Sequence, residues 1–221
     1  MILMMTVVAL LLVACAPPTN LRDETLLNDT SLVTGNPCEA PCFYGITPGE
    51  TTWQEALTII EDTSSFSNLQ VQASENDASI QAAWQAGSES PVCCQMATED
   101  GQTVSLILLR TAPVMTLGEV IRAHGEPQYL VGSPFTEDQA IMNLVFAETP
   151  MIVYAFVAGT EAGEMTADSE IIGALYLTAD EMELLLESTE LYAWDGYKAY
   201  AAYDTGAFDV TPIITLTPAE G

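Results

Sequence analysis

The stretch "TWQEALTII", residues 52–60, is echoed 64 residues later by "TLGEVIRAH", residues 116–124. Each opens on a threonine with a glutamate three residues on: Thr52 with Glu55, and Thr116 with Glu119. At that spacing the threonine hydroxyl accepts from the glutamate N–H, and the carboxylate accepts from the threonine N–H. Two backbone donors that a first helical turn leaves orphaned are thereby satisfied. Trp53, Ala56, Leu57 and Ile60 then trace one apolar helix face, and Leu117, Val120, Ile121 and His124 repeat it. Both segments are expected to be helices with Leu57 and Ile121 buried. Gly125 and Pro127 stop the second. A third pair, Thr178 with Glu181 in "TADEMELLLEST", predicts a further helix with Leu177 stapled to Met182.

Strand-like runs follow the first two helices. They are "NLQVQA", "SIQAAW" and "TVSLILLR" after the first, and "PQYLVG", "AIMNLVFA", "MIVYAFVA" and "IIGALYLT" after the second. All are rich in β-branched and aromatic residues and bounded by Gly, Pro, Asn or acidic turns, and "ETP" at 148–150 fits a hairpin loop. The expected fold is α+β, in tandem helix-plus-antiparallel-sheet repeats, because one amphipathic helix can cover one sheet face. The first repeat is placed at 38–112. The second is placed at 113–203, with the third helix and a late aromatic segment, and 204–221 is read as a C-terminal tail.

The N-terminus reads "MILMMTVVALLLVACAPPTN". Its uncharged apolar run, residues 1–14, is shorter than the ~20 residues needed to span a bilayer and reads as a signal peptide. Leu12-Val13-Ala14-Cys15 resembles the lipobox of bacterial lipoproteins, although no Lys or Arg precedes the run. The resemblance implies cleavage before Cys15 and lipid on its sulfur. Residues 15–37, rich in Pro, Asn, Asp and Thr, are then expected to be the lipid anchor and a flexible tether. The protein is expected in the bacterial cell envelope, extracytoplasmic and held to the membrane by that anchor.

With Cys15 assigned to lipid, Cys38, Cys42, Cys93 and Cys94 remain. Disulfides persist in oxidising compartments, so these four are expected to pair. Cys93 and Cys94 are each expected to bridge to Cys38 or Cys42, in either order. The vicinal pairing is disfavoured because it closes a strained ring, and adjacent residues of an extended chain point to opposite faces. The same alternation speaks against a structural zinc site.

Thirty-one acidic groups stand against Arg22, Arg110, Arg122 and Lys198, for a net charge of −27. Nucleic acid and anionic lipid surfaces both reward Lys and Arg, so neither is an expected partner of the domain itself. His124 is the only histidine and falls on an apolar helix face. No phosphate-cradling glycine loop, HExxH or G-x-S-x-G is present, so no catalytic residue, cofactor or metal is expected. The aromatics of "LYAWDGYKAYAAYD" either seal the core or contact a ligand, with Trp194, Tyr197 and Tyr200 the candidates for contact.

The openings "ITPGETTWQEALTIIED" and "MTLGEVIRAHGEPQYLVG" resemble those of small envelope lipoproteins of the SmpA/OmlA type, and the tandem plan is similar to that of β-lactamase-inhibitor proteins. Over the whole chain the character is similar to uncharacterised bacterial lipoproteins with "PC…PC…GITPG…TT" openings. The resemblance implies a non-catalytic protein-binding or envelope-assembly module with an envelope protein as partner. The alternative is a solute- or glycan-binding, or carboxylate-dependent glycan-hydrolysing, lipoprotein.

Overall fold

The computed structural model describes residues 20–203, so the expected signal peptide, Cys15 and the 204–221 tail lie outside the described residues. The fold is sheet-dominated α+β. A four-residue helix α1 (Ser31–Thr34) precedes α2 (Trp53–Asp62) and four strands, β1 (Ser67–Ala73), β2 (Ile80–Gln85), β3 (Val92–Thr98) and β4 (Leu106–Arg110). Next come α3 (Leu117–His124) and β5 (Tyr129–Thr136), β6 (Gln139–Phe146), β7 (Met151–Val157) and β8 (Ile171–Leu177). The helix α4 (Ala179–Ser188), the two-residue strand β9 (Tyr192–Ala193) and a 3₁₀ turn (Tyr200–Ala202) follow. All strands form one antiparallel sheet in the order β1-β2-β3-β4-β8-β7-β6-β5-β9.

Both expected capping boxes are formed. Thr52 Oγ1 accepts from Glu55 N at 3.3 Å, and Thr116 Oγ1 from Glu119 N at 3.4 Å, with each carboxylate returning to the threonine N–H. Thr178 also caps its helix, accepting from Glu181 N at 3.2 Å, but the Glu181 carboxylate does not return and the box is half made. Trp53, Ala56, Ile60, Leu117 and Val120 pack into the main core with Trp84, Met96, Ile107, Met142, Val153 and Tyr176. Leu57 and Ile121, expected to be buried, are half-buried at the margin of that core. Their place on the apolar stripe is its flank, between the core-facing residues and the solvated face.

The other face carries a smaller cluster under α4: Val145, Ile152, Leu175, Leu177 and Met182. Leu177 and Met182, the expected staple, both belong to it. Ala174 and Tyr176 belong to the main core while Leu175 and Leu177 belong to the second, as period-two alternation requires. β8 is therefore buried on both faces, which suits its uninterrupted apolar run.

The structure departs from the sequence reading in two places. β3, "VCCQMAT", falls outside the strand-like runs read in the sequence; it is an inner strand, buried on both faces and so without legible alternation. The described part of the expected tether, residues 20–37, is docked. Leu26, Leu27 and Leu32 are almost wholly buried. Leu27 N–H donates to Arg110 O at 3.4 Å, and Ala112 N–H donates to Leu27 O at 2.9 Å. Three leucines among polar residues show no periodicity, yet each buried side chain is worth about 1.5–3 kcal/mol, enough to hold a short segment down.

Candidate functional site

The aromatic segment forms the rim of the sheet beyond β5. β9 pairs with only two residues of β5, Tyr129↔Ala193 and Leu130↔Tyr192. Trp194 N–H extends the contact to Gln128 O at 3.0 Å. Opposed residues share a face, so Tyr192 and Trp194 project on the side of buried Leu130, and Tyr129 on the other. Trp194 meets Tyr197 edge-on at 5.6 Å between ring centroids, and Tyr192 meets Tyr203 at 5.8 Å. Tyr197 is 43% exposed, Tyr129 and Tyr192 each 37%, and Trp194 is half-buried. Lys198 pairs with Asp195 and lies 5.5 Å over the Tyr203 ring. The carboxylate's hydrogen bond holds the Lys198 ammonium above its ordinary range, and the ammonium holds Asp195 below its own. The rim thus presents ring edges and faces around one fixed charge pair.

Tyr200 does not belong to this surface. It is fully buried, and its ring fills the space over Gly132. Its candidacy as a contact residue is corrected: the main core needed a large group at the β5 end, and the 3₁₀ turn supplies it. Tyr129 was not singled out in the sequence; its signal is the alternation of exposed Tyr129 with buried Leu130.

A groove of about 600 Å³ lies on the outer side of α2, lined by Gly45, Thr47, Glu50, Thr51, Gln54 and Thr58 among others, with no aromatic side chain. Its hydroxyls and carboxylates resemble an ordinary solvated helix face. On the opposite face of the sheet, Glu181 is held above its ordinary range by partial burial and by the charge of Glu99, against the pull of the Ser105 hydroxyl. Among the described residues no three His, Cys, Asp or Glu side chains are grouped to hold a metal ion. Nor is any described helix long and apolar enough to cross a membrane.

The four remaining cysteines form two disulfides, but not across the two regions. Cys38 bonds to Cys42, and Cys93 to Cys94. The physical reason lies in the register. Trp84 on β2 opposes Cys94, and the next residue, Gln85, opposes Val92. Cys93 is the extra residue of a β-bulge, which breaks the alternation that would hold adjacent sulfurs on opposite faces. Cys93 and Cys94 are both buried, in the main core. Cys38 and Cys42 are drawn together by a turn in which Cys42 N–H donates to Glu39 O at 3.0 Å, and the Gly45 N–H donates to Cys38 Sγ at 3.4 Å.

No protein-family model, curated protein or solved structure matches this chain. The functional reading therefore rests on the residues themselves. His124 is half-buried at the end of α3, with Nε2 2.6 Å from Leu32 O and its ring edge-on to Phe146. It locks the N-terminal segment to α3, which is a structural task.

Proposed function

We propose that this chain is a lipoprotein of the bacterial cell envelope, anchored through Cys15, that acts as a non-catalytic binding or assembly module for another envelope protein. The observation that carries the binding role is the open aromatic rim: Tyr192, Trp194 and Tyr197 stand on a sheet edge and not in a cavity. Tyr and Trp offer large amphipathic area at small entropic cost and dominate protein docking sites, whereas small-molecule sites are concave. The net charge of −27 calls for a partner that is neutral or basic where it meets the domain. The two helix-then-four-strand halves, each opened by a threonine–glutamate capping box, support reading the fold as a tandem duplication of the SmpA/OmlA or β-lactamase-inhibitor kind.

Anchoring is checked by mass spectrometry of the mature protein, where an unlipidated N-terminus at any other residue rejects it. Docking is checked by a photo-crosslinking side chain at Tyr197 in cells, with Val71 on the far edge as control. The expected adduct with an envelope protein forms from Tyr197 alone and is weakened by Trp194→Ala. Equal adducts from Val71 would reject the rim as the site. Turnover of glycans by the purified chain, abolished on replacing one carboxylate, would instead establish the hydrolytic alternative.

A further inference from the structure

We infer that the anchored domain stands on the bilayer with a fixed end down: the β5–β6 turn and the β7–β8 connection face the membrane, and the β6–β7 turn faces away. This rests on lipidation of Cys15. The docked N-terminal segment carries the argument. Leu21 N–H donates to the Gln139 side chain at 2.8 Å, at the start of β6. Arg22 pairs with Glu170 at 3.1 Å, just before β8, and its guanidinium lies 4.7 Å over the Phe156 ring of β7. Leu27 then bridges to Thr111, just past the end of β4. The segment thus runs across one end of four adjacent strands, β6, β7, β8 and β4, and it enters that end at Leu21.

Only six Cα steps separate Cys15 from Leu21. At full extension they reach roughly 20–22 Å. A domain of this size is about 40 Å across. Whatever path those residues take, they cannot run round the domain to let its opposite end touch lipid. That opposite end holds the β6–β7 turn at Glu148 and the β9 pairing at Tyr129. The near end carries Glu137, Asp138, Glu161 and Glu164, so attraction to anionic headgroups does not set the orientation. The leash sets it, and it leaves Tyr192 and Trp194, beside the start of β5, at the end away from lipid, where an envelope protein can reach them. The rest of the rim runs back toward the β7–β8 connection, where Met165 N–H donates to Lys198 O.

The test uses the full mature lipidated chain in phosphatidylethanolamine–phosphatidylglycerol vesicles containing a headgroup-nitroxide lipid. A fluorophore is placed through Glu137→Cys or, separately, Glu148→Cys; both positions are exposed and lie at opposite ends of β6, roughly 25 Å apart along the strand. The nitroxide is expected to quench the Glu137→Cys label several-fold more than the Glu148→Cys label. Twenty Gly-Ser residues inserted after Pro18 should shrink the difference. Equal or reversed quenching on chain that floats with the vesicles overturns the orientation alone, as does a difference that the insertion leaves intact. Chain that lacks lipid on Cys15, or that fails to float, overturns the anchoring reading and the orientation with it.

Discussion

Gly132 lies so close under the ring of Tyr200 that a Cβ on the glycine would come within 2.7 Å of Tyr200 Cε2. The ring is fully buried and cannot swing aside. Gly132→Ala should therefore overpack the core and cost about 1–3 kcal/mol. Urea unfolding of the purified chain measures it, and an unchanged midpoint would show that the ring does not rest on β5.

The disulfides can be mapped directly. Chymotryptic digestion without reduction should yield a peptide that contains both Cys93 and Cys94, two hydrogens lighter than its dithiol form, and a separate peptide closed by Cys38–Cys42. Any fragment joining the two regions contradicts the register of β2 and β3. The small loop also limits what the first bridge contributes. Closing five residues is worth about 2 kcal/mol, against about 4 for the long-range bridges expected from sequence.

Glu181 makes a pH-dependent prediction. Its folded carboxyl holds a proton above the ordinary range, mainly through burial and secondarily through Glu99. The folded state then binds more protons than the unfolded one, so stability falls as pH rises from the unfolded value through the folded one. Glu181→Gln should raise the melting temperature at pH 7, and the gain should vanish in acid once both states of the wild type are protonated. A gain that persists unchanged at low pH would point to packing and not to charge.

Capping can be tested at both boxes. Thr52→Ala and Thr116→Ala should each cost about 1 kcal/mol, because each leaves the third-residue N–H without its acceptor. Glu55 and Glu119 are held below their ordinary range by the same hydrogen bonds. Their share of the stability is therefore present at neutral pH and lost as pH falls through the lowered folded values. Thermal melts of the two variants at pH 7 and in acid should converge on wild type in acid as far as the carboxylate half of the box is concerned.

Leu27 tests whether the N-terminal segment belongs to the fold. It is 4% exposed and bonded on both sides to the end of β4. Leu27→Ala should cost about 2–5 kcal/mol. A free tether would give no change, and chemical denaturation distinguishes the two.

Much of this architecture was legible along the chain. The helices at Thr52, Thr116 and Thr178 were marked by chemistry that acts between residues three or four apart, and the strands β5 to β8 by dense β-branched and aromatic runs. The aromatic rim was visible as a cluster in sequence, but which rings face solvent was not. Tyr197 and Tyr200 look alike on the page, and only the approach of Gly132 from another strand separates them.

Sequence by itself determined the local elements and the acidic composition, because caps, turns and periodicity depend on near neighbours. Tertiary structure decided what depends on partners far along the chain. The pairing of β4 with β8 makes one sheet out of two runs of strands. The offset of β2 against β3 places Cys93 in a bulge and turns two adjacent cysteines into a disulfide. The exposed ends of β4, β6, β7 and β8 gather a leucine-bearing segment that carries no pattern of its own. Its stability comes from surfaces that exist only once the sheet has formed.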